Sequence, residues 1–176
     1  MRIAIIATVV LASSAALAQQ PYAGMKARAI KTLSEQQIAD LNAGRGMGLA
    51  LAAELNGYPG PSHAIEMSAQ LGLSIDQVSK LQGLFAAMKA ETVPIGAALI
   101  EQERTLNDDF AKHTVTPASL EAATQKIGAT QATLRSAHLK YHLSTVAILS
   151  PDQVKRYNEL RGYAANLPAP AHQHQK

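Results

Sequence analysis

Leu73-Ser74-Ile75-Asp76-Gln77 reads as the start of a helix. The Ser74 hydroxyl can accept from the free backbone N–H three residues on. The Gln77 side chain can reach back to the N–H of Ser74, which completes the reciprocal pair of a capping box. Leu73 and Val78 flank the box and can close a hydrophobic staple over the first turn. The pattern occurs twice more: Leu33-Ser34-Glu35-Gln36-Gln37 precedes Ile38, and Leu149-Ser150-Pro151-Asp152-Gln153 precedes Val154. Pro151 falls at the first helical position, where its missing N–H costs nothing. One S-x-x-Q is weak evidence. Three copies, each with leucine before and a β-branched aliphatic after, are hard to obtain by chance.

The helix capped by Ser74 can run to Lys112, a length of about 55 Å at 1.5 Å per residue. Its apolar series is Val78, Leu81, Phe85, Met88, Thr92, Ile95, Leu99, Gln102, Leu106 and Phe110. Steps of three and four make this a packing seam. Pro94 lies inside it and predicts a kink or break close to Gly96. His113–Pro117 reads as the turn, with Thr116 as N-cap and Pro117 as first helical residue. The second long helix carries Leu120, Thr124, Ile127, Gln131, Leu134, His138, Tyr141, Thr145 and Ile148 at strict 4,3 spacing. That seam is unusually polar, and its side chains need partners. A last helix starts at Ser150 and fades near Asn166. Upstream, short helices are expected over Glu35–Ala43, Leu49–Leu55 and Ser62–Leu71. The break Gly44-Arg45-Gly46-Met47-Gly48 and the turn Asn56-Gly57-Tyr58-Pro59-Gly60-Pro61 separate them. The glycines of the first break do not complete a nucleotide-binding fingerprint.

The composition agrees. Aromatics are 4% of the 176 residues, and Trp and Cys are absent. The expected fold is therefore all-α: an elongated helical hairpin of two long helices with short flanking helices. So few helices leave more apolar stripe than a monomer buries, which predicts an antiparallel homodimer. Arg2, the apolar run Ile3–Ala12 and Ala16-Leu17-Ala18 form a secretory signal over 1–18, too short for a stable membrane insertion. An N-terminal arm with short helices follows over 19–61 and is read as loose at 19–32. The helical domain spans 62–166, and a Pro-, Ala-, His- and Gln-rich tail, 167–176, is expected to be disordered. Export without cysteine leaves stability to helix packing or oligomerisation. A formal net charge of +3 is too small to argue for nucleic acid.

No catalytic constellation is present, so no enzyme is expected. Carboxylates such as Glu101, Glu103, Asp108 and Asp109 diverge around their helix and read as solvated. Metal binding has better support. His138 and His142 are four apart on one helix, and His63 and Met67 share that spacing on an earlier one. His plus Met suits copper, nickel or cobalt. Against this stands the reading of His138 as a hydrogen-bonded seam residue and His142 as surface. His172 and His174 in the tail make a poor cage.

A cysteine-free, exported helical chain with repeated L-S-x-x-Q openings resembles the Spy/CpxP family of periplasmic proteins, whose hallmark is L-T-x-x-Q. Serine replaces threonine in all three copies here. The resemblance covers Ser62–Tyr163. It implies a hooked four-helix hairpin, a cradle-shaped antiparallel dimer and ATP-independent binding of unfolded or aggregating envelope proteins. It also brings in a heavy-metal sensor and resistance branch, whose ligand positions fall on Tyr141, Thr145, Ala64 and Ser68 and so are not carried over. Two functions are expected. The first is a periplasmic chaperone-like or envelope-stress adaptor requiring no cofactor, with Lys80, Lys89, Arg104, Lys126 and Arg135 drawing client chains at long range. The alternative is a periplasmic sensor or resistance protein for copper, nickel, cobalt or zinc, using His63, Met67, His138 and His142 around a divalent transition metal.

Overall fold

The computed structural model describes residues 22–163. The export signal expected at 1–18 and the tail expected at 167–176 lie outside the described residues. Within them the chain is all-helical. A 3-10 turn at Ala23–Met25 is followed by α1 (Glu35–Asn42), α2 (Leu51–Glu54), α3 (Pro61–Glu66), α4 (Ile75–Ala111), α5 (Pro117–Ile148) and α6 (Pro151–Leu160).

Each L-S-x-x-Q copy starts a helix. Ser34, Ser74 and Ser150 accept from the backbone N–H of Gln37, Gln77 and Gln153, and each Gln side chain closes the box on its serine N–H. Thr116 and Ser119 form a fourth box at α5, with Pro117 at the first helical position as expected. Two of the boxes are also joined to each other. The Gln77 amide donates to Ile148 O at 3.0 Å and to Gln153 Oε1 at 2.8 Å. The Gln153 amide donates to Gln77 Oε1 at 3.1 Å and to Gly72 O at 3.4 Å. Each carboxamide oxygen therefore accepts one bond from its own serine and one from the other glutamine, and each amide nitrogen uses both protons.

The long helices pack along one another in opposite senses. Leu81 shares a cluster with Leu149, Glu91 meets Lys140 and Tyr141, and Leu99 meets Leu134. Apolar residues collect in two separate clusters. One holds Ile30, Leu41, Leu99, Ile100, Ile127 and Leu134, towards the α4–α5 turn. The other holds Ala64, Leu71, Leu81, Leu149 and Tyr157 at the opposite end. At the turn itself the seam frays, with Phe110 51% and Leu120 37% exposed. By length and composition α4 could cross a membrane; it contacts α1, α3 and α5, and 28% of its most apolar window is buried.

Three expectations change. α4 runs unbroken through Pro94, although an interior proline costs about 3 kcal/mol, because long-range packing on both sides holds the helix. α3 stops at Glu66, and Met67–Gly72 continue as turns. The described part of the arm is docked. Ile30 is 1% exposed, Thr32 Oγ1 donates to Glu103 Oε2 at 2.8 Å, and the Asn107 amide and Ala29 O lie 3.4 Å apart. Glu103, read as solvated, is thereby buried against the arm. α1 lies close against α4 because Gly96 has no side chain; a Cβ there would fall 2.7 Å from Leu41 O.

Glutamate can cap a helix but cannot donate. Gln77→Glu should keep the Ser74 box yet strip Ile148 O and Gln153 Oε1 of their donor, lowering stability by about 1–3 kcal/mol in urea denaturation. Gln37→Glu, where only the local box exists, should change it little. Equal effects at the two sites would show that the glutamine pair does not contribute.

Candidate functional site

Between the two apolar clusters the α4–α5 seam turns polar. Thr92 and Thr145 are fully buried there and return their hydroxyls to Met88 O and Tyr141 O, each at 2.8 Å. One face of this zone opens into a cavity of about 240 Å³. α5 presents His138 and His142 to it, one turn apart, and α4 presents Met88. The Gly46–Gly48 loop, Glu54 at the end of α2, Gly60 and His63 close the other side.

His142 is 8% exposed, and its Nδ1 lies 2.7 Å from Tyr58 O. A carbonyl only accepts, so Nδ1 carries a proton, and in the neutral ring the lone pair is then on Nε2. The Asn56–Pro61 turn supplies that carbonyl. It also supplies Gly60, where an added Cβ would stand 2.9 Å from His142 Cε1 and 3.1 Å from Nε2. Glycine leaves the ring edge uncovered. His138 is 3% exposed, and its Nε2 is buried without a hydrogen-bond partner among the described residues. Burial first, and the nearby His142 second, push its pKa below the ordinary histidine value, which favours the neutral imidazole.

Glu54 is 6% exposed, an unusual burial for a carboxylate. Its Oε1 accepts a short hydrogen bond from Tyr157 and lies 3.3 Å from the Tyr163 hydroxyl and 3.5 Å from Arg161 Nε. Burial, then the bond to Glu54, holds the Tyr157 phenol far above its usual pKa, so it remains a donor. The second oxygen, Oε2, has no hydrogen-bond partner and sits 3.8 Å from His142 Nδ1.

Of the four expected metal-ligating residues, His63, His138 and His142 line this one cavity. Met67 does not; it packs against the cluster around Leu71 and Tyr157, because α3 ends before it. His63 is turned to Glu66, with Nδ1 3.0 Å from its carboxylate. His142 is a buried residue rather than a surface one. Among the described residues no three His, Cys, Asp or Glu side chains stand close enough to hold a metal ion. Glu54, Met47, Met88, Arg161 and Tyr163 are cavity residues that sequence spacing does not select. Met88 was visible only as a seam position, and Glu54 carries no local signature.

The five expected client-binding cations do not gather. Lys80 pairs with Asp76 at 2.7 Å and Arg104 with Glu101 at 2.6 Å, while Lys89 lies over the Phe85 ring. Lys126 borders a shallow depression with Ala98 and Ala122. Arg135 borders a larger groove of about 680 Å³ between α1 and the long pair, walled by Leu33, Leu41, Leu49 and Leu99.

Comparison with known proteins returns no matching family model, no similar curated sequence and no similar solved structure.

Tyr157 ties Glu54 to α6, so Tyr157→Phe leaves a buried carboxylate oxygen short of its closest donor. Stability should fall by about 1–3 kcal/mol in denaturant titration. An unchanged midpoint would mean that Tyr163 and Arg161 suffice.

Proposed function

We propose that this chain is an exported helical protein that binds a transition-metal ion, in the manner of a sensor or resistance protein of the cell envelope. The observation that carries the reading is the pair His138 and His142, one turn apart on the same cavity, with a buried, unpartnered Nε2 on the first and a fixed tautomer on the second. A buried imidazole nitrogen without a partner costs about 1–3 kcal/mol, and ligation would repay it. The backbone carbonyl behind His142 and the Glu54 carboxylate beside it are the kind of outer contacts that orient a ligating histidine. The Spy/CpxP resemblance supports a periplasmic setting and an antiparallel dimer.

Calorimetric titration with copper, nickel, cobalt and zinc tests this. Heat of binding that disappears in a His138→Ala, His142→Ala double variant is the expected result; a flat titration of the unaltered chain overturns the reading.

The groove beside Arg135 favours a second reading, an ATP-independent chaperone-like or stress-adaptor protein that holds unfolded envelope proteins. Its leucine walls would supply non-directional affinity and the guanidinium long-range attraction. The purified chain should then suppress aggregation of a denatured client without ATP, and Leu49→Glu should weaken that suppression. Absence of suppression at stoichiometric excess would rule this reading out.

A further inference from the structure

The metal-binding reading leaves the ion open, and the cavity itself narrows it. Zinc, nickel and cobalt sites are ordinarily built from three or more imidazole, thiolate or carboxylate donors. No such trio stands together among the described residues. Glu54 has Oε1 committed to Tyr157 with Arg161 close by, and its Oε2 stands 3.8 Å from His142 Nδ1, the protonated ring nitrogen. His63 also lines the cavity but is turned to Glu66, and the donors that remain beside the two buried imidazoles are thioethers. Met88, 8% exposed, lines the cavity from α4, and Met47 lines it from the glycine loop.

Met47 carries a second sign of function. Its φ is 44°, in the left-handed region that a side-chain-bearing residue seldom adopts, and Gly48 beside it has φ 81°. The turn could run at lower cost with glycine or asparagine at this position. A methionine there, lining a cavity with two histidines, fits a need for its sulfur.

We propose that the cavity is a site for monovalent copper, Cu(I), with His138 Nε2, His142 Nε2 and the thioethers of Met88 and Met47 as donors. The assignment rests on the metal-binding reading above. Neutral imidazole and thioether are uncharged, polarisable donors, and such a set suits a soft monovalent ion better than a hard divalent one. Glu54 acts behind His142 as an orienting group, and the Tyr58 carbonyl fixes the proton on Nδ1.

The test is an anaerobic competition between the full chain and the chromophoric Cu(I) chelator bicinchoninate, with zinc and nickel titrated in parallel. One Cu(I) per chain should leave the chelator. Met88→Leu and Met47→Leu should each weaken Cu(I) at least about tenfold, as loss of a donor demands, without a matching effect on zinc or nickel. X-ray absorption on the Cu(I)-loaded unaltered chain gives a readout that needs no variant: sulfur in the first shell supports the assignment, and nitrogen and oxygen alone overturn it. Zinc or nickel bound through His138 and His142 with no Cu(I) taken up would overturn the copper assignment while leaving the metal-binding reading standing. Failure of all the ions would remove both. Cu(I) binding that persists in a His138→Ala, His142→Ala variant would place the ion elsewhere and also overturn the assignment.

Discussion

The hydrogen-bonded pair of Gln77 and Gln153 fixes the geometry on which the remainder of the molecule relies. Four chain segments meet at it: the end of the turn at Gly72, the start of α4, the end of α5 at Ile148 and the start of α6. Every donor and acceptor of the two carboxamides is used, so the pair has no competing arrangement of equal quality. This explains why glutamine stands at the third helical position of both caps. Glutamate would satisfy the cap as well but could not cross-link it.

Anchoring the C-terminal end of α5 to the N-terminal end of α4 sets the register of the long pair. With Leu81 against Leu149, the middle of α4 faces the middle of α5, and Met88 and Thr92 meet the polar run His138–Thr145. A slip of one residue would rotate that run by about 100° and bury a different face. The apolar clusters on either side make such a slip costly. The polar zone is therefore held in place by two hydrophobic ends, which lets the middle of the seam carry groups that would be unfavourable as a core on their own. α1 and the arm complete the far end, admitted to close range by Gly96 and by Gly44, where a Cβ would fall 2.7 Å from Thr92 Oγ1.

Much of the fold was legible because its signals are local. Capping boxes and Pro117 at the first turn depend only on neighbours a turn away and appear at their expected places, whereas the 3,4 seam of α5 holds only in part: Ile127, Leu134, His138, Tyr141 and Thr145 are buried, but Leu120, Thr124 and Gln131 are exposed. At Pro94 and in the arm local propensity points to a break and to loose chain, and in both places contacts distant in sequence prevail. The site was half legible. His138 and His142 are linked by helical spacing, so a one-dimensional pattern finds them. Glu54, Met47 and Gly60 come from the loops and α2, about eighty or more residues upstream, and nothing in their local sequence points to a partner on α5.

The three L-S-x-x-Q copies show where the division falls. Sequence alone determined that each begins a helix, because a capping box is closed within four residues. Only the tertiary structure decided that two of them bind each other while the one at Ser34 stands alone, since that depends on which helix ends arrive side by side. The same holds for the histidines. Their common face was set by a helix of 3.6 residues per turn. That the face looks into a cavity, against Glu54 and two methionines, was set by the packing of chain segments far apart in sequence.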